Sequence, residues 1–132
     1  MGPWNAFQKN GRMWHSLRGL PQLIWMHYEK PHVLQRIDIT SNYNEHAPRS
    51  FEVIGSMDCA QWTTMLNVPL ADFGSSGPGL RKSFIIPLAN RRAFPCIGLR
   101  VNRIWKMSWQ YVRILQIDLW ELPGNVYLIF SV

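Results

Sequence analysis

Ala47-Pro48-Arg49-Ser50-Phe51-Glu52-Val53-Ile54-Gly55-Ser56-Met57-Asp58-Cys59-Ala60-Gln61-Trp62 is the stretch whose reading decides the fold. From Ser50 to Gly55 the apolar Phe51 and Val53 share one side of an extended chain. Alternation with one apolar side is the pattern of antiparallel sheet with one buried face. A tight turn follows, and Trp62 closes it. An indole buries a large area and needs one partner for its N–H, so Trp62, and likewise Trp25, are expected to pack in the core of the sandwich.

The same alternation recurs on both sides of this hairpin. Val33–Thr40 places Val33, Ile37 and Ile39 on one face and Arg36, Asp38 and Thr40 on the other. Cys96–Arg103 turns Ile97, Leu99 and Val101 inward, and Arg113–Glu121 does so with Leu115, Ile117 and Leu119. Further strands are read at Gln22–Tyr28, Trp62–Val68, Arg81–Ile86 and Val126–Phe130. Prolines at 21, 31, 48, 69, 78, 87, 95 and 123 cut the chain into strand-sized pieces and leave no window for a long helix. Residues 74–79 read as a loop, and the first twenty residues as loop with one helical turn at most. The expectation is an all-β, antiparallel β-sandwich or jelly roll of about eight strands.

Composition narrows the classes. With 132 residues, 47% hydrophobic and 17% charged, the chain suits one domain with a real core and not a disordered tail. Fourteen Lys and Arg against eight Asp and Glu give a net charge of +6, but these charges scatter along the chain. Nucleic acid is therefore not expected as a partner, with Arg91, Arg92, Arg100 and Arg103 the exception if strands bring them together. No apolar run approaches the roughly twenty residues of a membrane span. No signal peptide or Asn-x-Ser/Thr sequon is visible, which points to an intracellular location. Cys59 and Cys96 do not make a disulfide framework and are expected as free thiols. His15, His27, His32 and His46 show no metal spacing with them. Asp38 and Asp118 read as strand residues on polar faces, and no carboxylate pair, nucleophile elbow or phosphate loop suggests catalysis. No enzyme is expected.

Four segments in order resemble the discoidin domain, or coagulation factor V/VIII type C domain, of the galactose-binding-like superfamily. Ala6-Phe7-Gln8-Lys9-Asn10-Gly11 with Trp14 and Ser16 is similar to its opening loop, and Pro21–Met26 with Lys30-Pro31 to its first core strand. Ala47–Trp62 is similar to the hairpin x-P-x-x-[FW]-x-[VL]-x-G-S-x-D-G-x-x-W. Arg92–Val101 and Ile114–Trp120 resemble the strands that close the sandwich. The resemblance implies a discoidin-like domain over residues 1–122, with 123–132 a tail or added edge strand. It implies no cofactor, and Gln8 and Lys9 put a structural calcium in doubt because that ion takes carboxylate and carbonyl oxygens. The hairpin glycine of the family is Cys59 here, and the terminal cysteine pair of secreted members is missing, which again favours an intracellular setting. Ala47–Val53 and the late Val101-Asn102-Arg103-Ile104-Trp105 also resemble SUN domains, although the Gly-Ser-x-Asp…Trp hairpin favours discoidin.

The candidate binding residues lie toward one loop end: Trp14, His46, Arg49, Arg103, Trp105, Lys106 and Trp109. Trp14 reads as either a ligand-facing aromatic or a plug for one end of the barrel. Trp105 and Trp109 bracket a turn with Lys106 and read as a contact spike or as strand-end packing. An aromatic ring beside His46 and Arg49 is also what a sugar site needs. Three functions stay open. The first is a non-catalytic module for protein–protein contacts within a larger assembly. The second is a carbohydrate-binding module using the same loop end, and the third a SUN-like adaptor that captures a peptide. A protein partner leads, followed by a glycan or a membrane surface.

Overall fold

The computed structural model describes residues 4–5, 21–41, 47–74, 80–105, 114 and 116–121; side chains are described for these except 4 and 5. The strands are β1 (Trp4–Asn5), β2 (Gln22–Ser41), β3 (Pro48–Ser56), β4 (Thr63–Val68), β5 (Leu80–Ile85), β6 (Ala93–Ile104) and β7 (Gln116–Glu121). A 3₁₀ turn, Leu88–Asn90, precedes β6. All pairings are antiparallel, and the architecture is the expected β-sandwich.

Strand β2 organises both layers. Its first part pairs with β6, which pairs with β3 and then β4. Its second part lies between β7 and β5, with β1 beyond β7. Where two strands were expected, at Gln22–Tyr28 and Val33–Thr40, the chain runs on through Lys30-Pro31 as one strand of 20 residues. Proline cannot donate to a ladder. Pro31 is accommodated because the pairing with β6 breaks between His27 and His32, where β2 passes from one layer to the other.

Alternation places Ile24, Ile37, Ile39, Phe51, Val53, Leu99, Val101, Ile117 and Leu119 between the layers, each at most 2% exposed. Gly98 faces Trp25 across β2 and β6, and a Cβ on it would lie 2.7 Å from the Trp25 Cβ.

Four expectations need correction. Cys59 and Cys96 are not free: they form a disulfide, with Cα atoms 5.5 Å apart. Their 37-residue separation hides a closeness that the β3–β6 pairing creates by setting Ser56 opposite Cys96. Trp25 is not a core residue but 42% exposed, because its register with Gly98 turns it to the outside. There it meets Trp62 at 5.9 Å between ring centroids, so Trp62 packs on the sandwich from its outer face. Asp38 and Asp118 do lie opposite the core face, yet they are 1% and 3% exposed, shielded by paired side chains.

The strand expected at Val126–Phe130 and the tail at 123–132 lie outside the described residues.

Candidate functional site

Arg49 near the start of β3 and Trp105 just after β6 come together because β3 and β6 are antiparallel, with Pro48 opposite Ile104. The Arg49 guanidinium carbon stands 4.9 Å from the Trp105 ring centroid. At that range a cation is drawn to the ring face. The indole N–H donates to the Ala71 carbonyl at 2.7 Å, and the Ala71 N–H donates to the Arg49 carbonyl at 2.7 Å. The segment after β4 thus clamps both residues. Trp105 is half-buried and packs against the core, which is strand-end packing rather than a free spike. Arg49 is also half-buried, and Arg103, opposite Ser50, is exposed on the same end.

Of the seven residues singled out from the sequence, the fold brings Arg49 and Trp105 into contact and places Arg103 nearby. Trp14, His46, Lys106 and Trp109 lie outside the described residues. His46 precedes β3 by two residues, and Lys106 and Trp109 follow Trp105 in sequence.

Two polar clusters on the strand faces were not read from the sequence. In the first, Asp38 of β2 stands opposite Asp118 of β7. Arg81 bridges them, at 2.5 Å to Asp38 and 3.0 Å to Asp118. Arg36 pairs with Asp38 at 3.1 Å and lies 4.1 Å from the Trp120 ring centroid, while the Trp120 N–H donates to Asp38 at 2.8 Å. Burial alone would raise the Asp38 carboxyl. The hydrogen bonds of Ser83, Arg81 and Trp120, with the charge of Arg36, outweigh it and leave the carboxyl below its ordinary value.

In the second cluster Glu52 accepts from Thr64 at 2.6 Å and Asn102 at 3.2 Å, and pairs with Arg100 at 3.3 Å. The Thr64 hydroxyl does most to lower its carboxyl, against the opposing effect of burial. Asp38 and Glu52 each meet several donors that lower their carboxyls, which suits structure better than proton transfer. Sequence alternation flags these carboxylates as strand residues. Only the strand order shows that they converge.

Among the described residues the basic side chains do not assemble into a stripe. Arg100 is engaged with Glu52, and the Arg91 Nε–H donates to the Ile86 carbonyl at 2.9 Å. Arg92 immediately precedes β6, which carries Arg100 seven residues into the strand, about 23 Å beyond its first residue at the rise of a β-strand.

No family model matches the sequence, and no curated protein matches it. Solved structures do match in fold. The module CpGH89CBM32-5 from Clostridium perfringens, in complex with GalNAc-β-1,3-galactose, aligns with a TM-score of 0.64 at 13% identity, covering 83% of this chain and 78% of that one. The family 32 carbohydrate-binding module of NanJ from C. perfringens, in complex with galactose, aligns at 0.60 and 13% identity, covering 90% and 88%. An F5/8 type C domain from Bacteroides fragilis aligns at 0.60 and 14%, covering 88% and 78%. The fold is therefore an antiparallel β-sandwich similar to that of these carbohydrate-binding modules and of the F5/8 type C domain.

Proposed function

We propose that this chain is a non-catalytic carbohydrate-binding module, with the glycan docking at the end marked by Arg49 and Trp105. The observation that carries the reading is the clamped Arg49–Trp105 pair at a loop end of a sandwich whose similar structures were solved with galactose-containing sugars. A half-buried indole with a guanidinium held over its ring offers an apolar edge for C–H groups and a charged donor for hydroxyls. Arg103 belongs to the same end, and His46, Lys106, Trp14 and Trp109 are the further candidates named from the sequence. This reading takes the place of the protein-contact function as the leading one.

A glycan array that includes β-galactosides tests it. Binding is expected, and Arg49→Ala should weaken it about tenfold or more, the worth of one charged hydrogen bond. An array that stays blank at high protein concentration, with the fold intact by circular dichroism, overturns the reading. Protein contact remains the second reading because Leu23 and Trp25, 39% and 42% exposed, present apolar surface on the outer sheet face.

A further inference from the structure

Linear spacing hides one group of ligating side chains. His27 on β2 is the direct cross-strand partner of Cys96 on β6, so their side chains project from the same face. Cys59 reaches that face from the turn between β3 and β4. One ring nitrogen of His27 and both sulfurs lie within 4.8 Å of one another. Among the described residues no hydrogen bond ties the His27 imidazole elsewhere, and His27 is exposed.

We propose that His27, Cys59 and Cys96 form a zinc site when the disulfide is reduced, so that a metal and a disulfide are alternative staples for the same turn. Reduction by a thiol of low molecular weight breaks the S–S bond. Two equivalents of that thiol are oxidised to their own disulfide, and each protein sulfur gains one hydrogen. Binding of Zn²⁺ then releases two protons, one from each cysteine, and the neutral imidazole adds its lone pair.

The geometry suits this ion. Tetrahedral zinc holds thiolate sulfur at about 2.3 Å and imidazole nitrogen at about 2.0–2.1 Å, which sets ligand atoms roughly 3.7 Å apart. Sulfurs released from a covalent bond must separate to about that distance, and a ring nitrogen already within 4.8 Å needs only a small side-chain adjustment. Two thiolates and an imidazole favour zinc over the hard cations that take oxygen ligands. The exposed side of His27 leaves a fourth position for water. The three ligands come from three segments, so the metal would tie the turn to both central strands as the disulfide ties it to β6.

The test is a titration of the full chain with Zn²⁺ in competition with a chromophoric chelator, before and after reduction with a phosphine. Co²⁺ serves as the spectroscopic probe. The reduced chain is expected to bind one equivalent and to show a thiolate-to-cobalt charge-transfer band. The oxidised chain should bind none at this site. His27→Ala should still form the disulfide when oxidised, which reports its folding, and should bind Zn²⁺ about tenfold more weakly or worse when reduced. A reduced chain that binds no metal, or whose binding is indifferent to His27→Ala, overturns the proposal.

Discussion

Asp58 shows how one side chain positions another. Its carboxylate accepts the N–H groups of Gln61 and Ala60, each at 2.9 Å, and the Ser56 hydroxyl at 2.9 Å. Those bonds, the Gln61 N–H foremost, lower its carboxyl from 3.8 to about 2. A carboxyl depressed on folding contributes stability above its unfolded value, and loses it as pH falls through the folded one. The turn should therefore be intact above about pH 4 and loosen between pH 4 and 2. An NMR titration of the Asp58 carboxyl should show a midpoint near 2, and a midpoint near 4 would contradict the bonding described. The next residue, Cys59, has φ +59°, a left-handed conformation that costs a non-glycine residue about 1–2 kcal/mol. The resembling hairpins have glycine there. A side chain at this position is tolerated because it bonds to Cys96.

At the scale of elements, strand pairing decides what each polar residue meets. Arg81 of β5 neutralises two aspartates brought together by β2 and β7, with Arg36 adding a second cation. Arg81→Ala would leave the buried pair with too little positive charge. It should cost about 3 kcal/mol in urea unfolding at neutral pH, the low end for a broken buried pair since Arg81 is itself 46% exposed. Asp38 is lowered on folding, so its contribution is present above the ordinary carboxylate value and lost on acidification. The gap between wild type and Arg81→Ala should therefore narrow as pH falls below about 4. Gly98 poses a different constraint, because the neighbouring strand β2 comes close beside it at Ile24 and Trp25. Gly98→Ala forces a Cβ against the Trp25 Cβ and the β2 backbone, and should cost about 1–3 kcal/mol in the same assay. An unchanged midpoint would show that β2 and β6 are packed less tightly than described.

Across the whole molecule, the disulfide closes a loop of 37 residues between the β3–β4 turn and β6. Restricting an unfolded chain by such a loop is worth about 3–4 kcal/mol in the loop-entropy treatment, so metal-free reduction should lower the thermal midpoint by several degrees or more. A melt unaffected by reductant would show that the bridge does not form. At this scale the division between sequence and structure is clear. Alternation in Ser50–Gly55, Cys96–Arg103 and Ile117–Leu119 determined by itself that the chain is an antiparallel sandwich, because a period of two sorts side chains locally. The hairpin from Ala47 to Trp62 carried the resemblance to discoidin domains, and Arg49 and Trp105 stood separately among seven candidates, while their contact was not legible. Only the tertiary structure decided that Lys30-Pro31 lies within one strand shared by both layers. It alone decided that Trp25 faces outward, that Asp38 meets Asp118, and that Cys59, Cys96 and His27 share one patch. The physical reason is the same in each case. Periodicity tells which side of its own strand a residue occupies, whereas its neighbours depend on strand order and register, which are fixed by packing between segments far apart in the chain.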